Sequence, residues 1–144
     1  MLSIHLNELV IQNKKILFLC TGNSCRSQMA EGFAKIKISN QYNIHSAGVE
    51  AHGINPIAVK VMKEVEIDIS NQHSNSILDR ELIQYDIVVT LCGDAKDRCL
   101  SLSNHNNHIH WGLKDPANAT GSDEEVINFY RKIRDQIKHK IDSL

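Results

Sequence analysis

The sequence lacks a large excess of charge of either sign: it has 16 Lys and Arg residues and 17 Asp and Glu residues, a formal net charge of −1. Proteins that bind polyanions carry basic patches, so this balance argues against nucleic acid as a partner and favours a small substrate. Repeats and low-complexity segments are also lacking. The 144 residues, of which 42% are hydrophobic, suffice for one compact domain and leave no room for a second.

Residues 1–13 lack both a basic start and a long hydrophobic run, because His5 and Glu8 interrupt short apolar groups. This composition is typical of neither a signal peptide nor a membrane span. We therefore expect a cytoplasmic protein that makes no membrane contact. We also expect residues 1–13 to be an N-terminal extension of one domain over residues 14–144, and the protein to be a monomer.

The four cysteines include no Cys-x2-Cys pair. In a reducing compartment they are not a disulfide framework, so we expect them to serve redox, catalytic or metal-binding chemistry. Zinc fits poorly, because four residues separate Cys20 from Cys25 and six separate Cys92 from Cys99. Three histidines within residues 105–110 lie among polar residues at the mouth of a short predicted strand. We interpret them as solvent-facing side chains, and we predict no metal site from them.

The most informative motif is the octapeptide Cys-Thr-Gly-Asn-Ser-Cys-Arg-Ser at residues 20–27. An apolar run of strand length precedes it, and Met29, Ala30, Phe33 and Ala34 follow it at helical spacing. Backbone N–H groups of a tight loop between a strand and a helix bind anions, and the helix N-terminus adds positive charge. The motif predicts an oxyanion-binding loop with the candidate binding residues Thr21, Gly22, Asn23, Ser24, Cys25 and Arg26.

Cys20 and Arg26 carry the chemistry that we predict for this loop. Arg26 can hold two oxygens of a tetrahedral oxyanion, and the positive field of the loop favours the thiolate form of Cys20. Ser27 could donate a hydrogen bond to the Cys20 sulfur and help to keep it ionised. The spacing of Cys25 implies no partner, so we interpret its side chain as a packing group.

Predicted strands alternate with predicted helices along the chain, which indicates an α/β fold. The strands are expected at residues 15–19, 43–46, 86–91 and 108–111, and the helices after the anion loop, from Asn55, over residues 76–83 and over residues 122–141. Such a chain forms one domain with a parallel four-stranded sheet flanked by helices, in three α/β/α layers. In these sheets, the functional residues cluster at the carboxyl ends of the strands. Cys20, Cys92 and Asp115 each follow a predicted strand, so we expect them to share one site.

Asp115 is the best candidate for a general acid. An in-line displacement by the Cys20 thiolate needs an acid on the far side to protonate the departing oxygen. Pro116 holds the preceding residue in an extended conformation, which presents the Asp115 carboxyl group with little freedom. Asp94 is the reserve acid, and a simple turn aspartate is the alternative interpretation of Asp115.

Cys92 and Cys99 exceed what a simple phosphatase requires. Both follow the predicted strand at residues 86–91, and thiols there could attack the sulfur of Cys20 in sequence, which would make the protein a reductase. The alternative is that they are two unrelated small hydrophobic residues. Residues 93–98 between them are polar, and we expect them to be exposed.

These motifs resemble those of the thioredoxin-coupled arsenate reductases, which share the fold of the low-molecular-weight protein tyrosine phosphatases. The resemblance covers most of residues 14–142. It is carried by residues 18–32, 46–48, 51–56, 88–95, Cys99 and the run from residues 110–112 through 115–117.

The resemblance implies a specific reaction cycle. Cys20 attacks arsenate to form a covalent arseno-cysteine, while Arg26 and the loop amides stabilise charge and Asp115 protonates the leaving hydroxyl. Cys92 then attacks Cys20 and releases arsenite. Cys99 attacks Cys92 in turn, and thioredoxin reduces the resulting Cys92–Cys99 disulfide. The family implies no tightly bound cofactor, and phosphate should compete with arsenate.

The resemblance also includes part of a potassium site. Some members of the family bind potassium near the anion loop through side chains that match Asn23, Glu31 and Ser46. At two further positions this chain has His73 and Asn75 where the family has a hydroxyl and a carboxylate.

Two other functions remain open at this point. A low-molecular-weight phosphotyrosine phosphatase would need only Cys20, Arg26 and Asp115. Those phosphatases place aromatic residues after the Asp-Pro pair and proline at the position of Gln28, whereas residues 117–119 here are Ala-Asn-Ala. A non-catalytic oxyanion or redox sensor would need only some of these residues and would stop after one disulfide.

Overall fold

The computed structural model describes residues 14–144 as an α/β domain around one parallel sheet. Its strands are β1 (Lys15–Cys20), β2 (Asn43–Gly48), β3 (Ile87–Thr90) and β4 (His108–His110), in the spatial order β2-β1-β3-β4. Every pairing is parallel, which confirms the predicted four-stranded sheet. Residues 1–13, where we predict an N-terminal extension, lie outside the described residues.

Within residues 14–144, four α-helices and three short 3-10 helices connect and follow these strands. The α-helices are α1 (Arg26–Lys37), α2 (Pro56–Lys63), α3 (Gly93–Arg98) and α4 (Asp123–Asp142), and the 3-10 helices are Asp79–Gln84, Leu100–Asn104 and Pro116–Asn118. Among residues 14–144, no helix is both long enough and apolar enough to cross a membrane.

The helix starts follow the capping residues in the sequence. The Asn55 side chain accepts hydrogen bonds from the backbone N–H groups of Ile57 and Ala58 at the start of α2. Ser122 and Glu125 form the predicted capping box at the start of α4, each side chain bonding to the other residue's backbone N–H. Local chemistry therefore determines where these two helices begin.

One segment differs from the sequence prediction, and a second forms a helix for which the sequence made no prediction. Residues 76–83, predicted to be helical, contain an isolated bridge from Ser76 to Gly48 and then the start of the 3-10 helix Asp79–Gln84. Residues 93–98, predicted to be polar and exposed, are exposed at Gly93, Lys96, Asp97 and Arg98, and they form α3, a helix that the sequence analysis did not predict. One turn and a half of helix carries too few apolar positions to produce a readable period, so this helix has no signature in the sequence.

Hydrophobic residues pack on both faces of the sheet, as alternation along a strand requires. Ile16 and Phe18 of β1 face one core, which α1, α2 and α4 cover. Leu17 and Leu19 face a second core, covered by α3 and the 3-10 helices Asp79–Gln84 and Leu100–Asn104. The three-layer prediction is confirmed. Complete burial of a side chain such as Phe18 contributes about 1.5–3 kcal/mol.

Candidate active site

The anion loop connects the end of β1 to the start of α1, at the carboxyl edge of the sheet. Asn23 has a φ of 46°, which is the left-handed conformation that asparagine tolerates better than most residues. Gly48 of β2 lies directly beneath the loop, where an added Cβ would come within 2.7 Å of the Asn23 nitrogen and the Thr21 oxygen. The imidazole of His52 lies against Gly22, where any Cβ would collide with it. The sequence analysis did not identify His52.

Cys20 is the last residue of β1, where the loop starts, and is almost completely buried. Its sulfur is 2.9 Å from the Ser27 hydroxyl oxygen, so the predicted contact is present. The Asn23 side-chain amide donates to the same hydroxyl oxygen at 2.8 Å. Because that oxygen accepts from Asn23, its own hydrogen is available to the sulfur, and a hydrogen bond to a thiolate stabilises the ionised form.

Arg26 projects across the loop from the first residue of α1. One of its terminal nitrogens donates to the Leu113 carbonyl at 3.0 Å, and the other is 3.5 Å from an Asp115 carboxylate oxygen. Its Nε is buried without a hydrogen-bond partner among the described residues. A buried unpaired donor is costly, so this N–H group marks a position where an oxyanion would bind.

Asp115 lies opposite the loop and is the carboxylate nearest to Arg26 among the described ion pairs. Its backbone is extended before Pro116, as predicted, and one side-chain oxygen accepts from the Ala117 N–H at 3.0 Å. The side chain is partly exposed and borders an open cleft of about 620 Å³. The cleft exposes the candidate acid to solvent, and no residue of the anion loop lines it. The reserve acid Asp94 lies in α3.

Cys92 and Cys99 cap the two ends of α3, and both are buried in the second core. The Cys92 sulfur lies 3.3 Å from the Thr21 hydroxyl oxygen and accepts from the Ala95 N–H at 3.4 Å. Cys92 therefore borders the anion loop, whereas six helical residues separate it from Cys99. The sequence placed these two cysteines near the site but did not reveal their burial or the Thr21 contact.

Cys20, Cys25, Cys92 and Cys99 are thiols in this structure, and none of these four forms a disulfide. Cys25 differs from the other three because its side chain packs in the first core, with Phe18 and Met29. Burial raises the pKa of the Cys25 thiol far above its ordinary value, against the opposing effect of Arg26. This environment agrees with the interpretation of Cys25 as a packing residue. Cys25 could therefore contribute to anion binding only through its backbone N–H group.

The residues matched to a potassium site bond to one another and to a lysine. Asn23 donates to the Ser46 hydroxyl at 2.9 Å, and Ser46 donates to Glu31. The other Glu31 oxygen is 2.6 Å from the Lys35 ammonium group, and the Asn23 oxygen accepts from the Asn75 N–H. Potassium is coordinated by oxygen atoms, and the side-chain oxygens of Asn23, Ser46 and Glu31 already take part in hydrogen bonds or an ion pair within the protein. These residues therefore do not form a preformed site for the ion, and we derive no step from it.

The predicted solvent-facing histidines are only partly solvent-facing. His110 is exposed, but its Nδ1 lies 2.7 Å from the Thr90 hydroxyl oxygen. His108 and His105 are half-buried, and burial lowers the pKa of His108. Their side chains contact Thr90 and the Tyr85 carbonyl respectively. Over residues 14–144, no group of three or more His, Cys, Asp or Glu side chains could hold a metal ion.

Comparisons with known proteins agree with this geometry. The family model described as low molecular weight phosphotyrosine protein phosphatase matches residues 15–144. An arsenate reductase of Bacillus subtilis (strain 168) is 54% identical over 131 residues, covering 91% of this chain and 94% of the relative. An arsenate reductase of Halalkalibacterium halodurans is also 54% identical over 131 residues, covering 90% and 94%. A solved arsenate reductase in its phosphate-binding state is 35% identical, with a TM-score of 0.75 and coverage of 91% of this chain and 95% of that chain.

The fold and the site together define an α/β protein of the phosphatase-like class, with a cysteine nucleophile in an anion loop. The chain belongs to the low-molecular-weight phosphotyrosine protein phosphatase family, in which its relatives at 54% identity are arsenate reductases. The resemblance found in the sequence motifs is therefore confirmed.

Proposed function

We propose that this protein reduces arsenate to arsenite with Cys20 as the nucleophile and Cys92 and Cys99 as relay thiols. The observation that carries the proposal is the position of Cys92, whose sulfur contacts Thr21 of the anion loop. A phosphatase needs the anion loop and an acid but no second thiol beside it. The names of the relatives and a solved arsenate reductase in its oxidized state support the same reaction.

In the first step, the Cys20 sulfur attacks the arsenic atom of a bound arsenate. An As–S bond forms and an As–O bond breaks, and Asp115 protonates the departing oxygen so that water leaves. Arg26 and the loop N–H groups hold the remaining oxygens. Arsenic stays in its pentavalent state during this exchange.

In the second step, the Cys92 thiolate attacks the Cys20 sulfur. A Cys20–Cys92 disulfide forms as the As–S bond breaks, and the bonding electron pair goes to arsenic, which leaves as trivalent arsenite. The two thiols supply the two electrons. The position of Cys92 beside the loop supports this order of attack.

In the third step, the Cys99 thiolate attacks Cys92, and Cys20 leaves as a thiolate. The seven-residue offset between the caps of α3 spans about 10 Å as a helix. A disulfide needs its Cα atoms about 4.4–6.8 Å apart, so α3 must unwind before Cys99 can reach Cys92. An external dithiol then reduces the Cys92–Cys99 disulfide, and we propose thioredoxin for this role.

The cycle needs no tightly bound cofactor, because the thiols carry the electrons. Phosphate should compete with arsenate for the anion loop, since the two oxyanions share shape and charge. We further propose that the protein acts as a cytoplasmic monomer, where thioredoxin would keep its thiols reduced.

The first test is steady-state consumption of NADPH by the purified protein with thioredoxin and thioredoxin reductase, with and without arsenate. Arsenate-dependent multiple turnover, abolished in Cys20→Ser, is the expected result. A single disulfide without turnover would contradict the reductase and support a sensor.

Phosphatase activity is the second candidate function, and the family itself favours it. The same Cys20, Arg26 and Asp115 would hydrolyse an aryl phosphate through a phospho-cysteine. If arsenate gave no turnover while aryl phosphate hydrolysis was efficient, the phosphatase would replace the reductase as the main activity.

A further inference from the structure

A carboxylate outside the reacting groups links the anion loop to the relay helix. One oxygen of Glu50 is 2.6 Å from the His52 ring, and the other is 3.4 Å from the guanidinium group of Arg98. Arg98 is the last residue of α3 and immediately precedes Cys99. Glu50 and Arg98 are 48 positions apart in the sequence, so this contact exists only in the folded protein.

Glu50 is fixed to the anion loop by the backbone around it. Its N–H donates to the Thr21 carbonyl at 2.9 Å, and the N–H of His52 donates to the Gly22 carbonyl at 2.9 Å. The His52 ring also lies against Gly22. These bonds fix the position of Glu50 relative to the anion loop. The contact between Glu50 and Arg98 therefore fixes the C-terminal end of α3 relative to that loop.

The relay step requires this end of α3 to leave its place, because a helical α3 holds the two relay cysteines too far apart for a disulfide. We propose that Glu50 is a positioning residue, which holds α3 in its helical state through Arg98 and thereby keeps Cys99 buried until the relay needs it. Hydrogen bonds from His52 and Arg98 lower the pKa of Glu50, so the carboxylate is ionised at neutral pH.

The contact is exposed, with about half of each side chain in solvent. Exposed ion pairs are weak, and the expected effect of removing this one is about a two- to fivefold shift of the opening equilibrium. An effect of this size is reasonable for a contact that must break in every reaction cycle. The effect on turnover rests on the proposed function, whereas the effect on thiol exposure does not.

The test measures the rate at which iodoacetamide alkylates each cysteine of the reduced full-length protein, by peptide mass spectrometry without arsenate. In Glu50→Ala and in Arg98→Ala we expect Cys99 to react about two to five times faster than in the unmodified protein. Cys25, buried in the other core, should react at an unchanged rate and serves as an internal reference. Adding salt should accelerate the alkylation of Cys99 in the unmodified protein but not in Glu50→Ala, because salt screens the ion pair.

A double-mutant cycle completes the test. If Glu50 acts through Arg98, the double variant should be no faster than either single variant. The proposal would be overturned if the alkylation rate of Cys99 did not change, or if the two substitutions had additive effects on that rate. It would also be overturned if the alkylation of Cys25 accelerated in parallel. A failure of arsenate reduction alone would leave these labelling rates unaffected, so the two proposals are tested separately.

Discussion

The Ser27 hydroxyl oxygen lies 2.9 Å from the Cys20 sulfur and also accepts a hydrogen bond from Asn23. These contacts orient one hydroxyl hydrogen toward the nucleophile. The sulfur is buried, so few water molecules can reach it, and a hydrogen bond from Ser27 would favour its nucleophilic form.

Ser27→Ala should slow the first chemical step. Hydrogen bonds to charged groups contribute about 1.5–3 kcal/mol, which corresponds to a fall of about 10- to 150-fold in the reactivity of Cys20 at neutral pH. The measurement is single-turnover formation of the arseno-cysteine, with Ser70→Ala on the surface as the control. Equal rates in the two variants would show that Ser27 has no role in activating the sulfur.

Asp115→Asn should lower kcat while leaving phosphate binding largely intact. The amide cannot protonate the departing oxygen, and loss of a general acid costs about 10²- to 10⁴-fold in rate. Arg26 keeps its bond to the Leu113 carbonyl in this variant, so the anion loop should hold its shape. Inhibition by phosphate measures binding separately from kcat. An unchanged kcat in this variant would show that Asp115 is a simple turn aspartate and not the general acid.

The relay cysteines should stop the cycle at different points. Cys99→Ser should complete one round and accumulate a Cys20–Cys92 disulfide, because the next attacking thiol is missing. Cys92→Ser should stop at the arseno-cysteine, before arsenite is released. Intact-mass and peptide mass spectrometry distinguish the two products. Normal turnover of Cys99→Ser with thioredoxin would show that our role for Cys99 is wrong.

Potassium should not activate the enzyme beyond the effect of sodium at equal ionic strength. The Lys35 ammonium group already pairs with Glu31, and the Ser46 hydroxyl already donates to that carboxylate. The measurement is kcat/KM in KCl and in NaCl. Specific activation by potassium would mean that the ion displaces Lys35 and that the potassium site implied by the family is present.

Glu64 should stabilise the fold at neutral pH and lose this effect in acid. Its carboxylate bonds to Arg131 and Arg134, which join the end of α2 to α4. Chiefly because of the Arg131 bond, the pKa of Glu64 falls from 4.5 to about 2 in the folded protein. A lowered folded-state pKa means that the stabilisation is complete above about pH 4.5 and disappears as the pH falls through about 2.

Glu64→Gln tests this linkage by urea denaturation between pH 3 and pH 7, with Glu66→Gln as the control. Because the Glu64 and Arg131 side chains are each about one-third exposed and solvent screens them, we expect a loss of about 1 kcal/mol at pH 7 that shrinks as the pH falls. A loss that is constant with pH would show that the charge of Glu64 contributes nothing.

Much of the site follows from short stretches of sequence. The apolar run before Cys20 and the helical spacing after Ser27 locate the anion loop at a strand–helix junction, because both signals depend only on neighbouring residues. The caps at Asn55 and Ser122 are local for the same reason. The parallel sheet follows from the alternation of elements, which brings the carboxyl ends of the strands to one edge.

The sequence alone therefore determined the fold class, the candidate nucleophile and the set of residues at the active edge. Only the tertiary structure decided how these groups meet: the burial of Cys99, the contact of Cys92 with Thr21, and the ion pair between Glu50 and Arg98. The latter two contacts join residues 71 and 48 positions apart, and no local spacing encodes them. They arise because packing the second core against the sheet places α3 beside the anion loop.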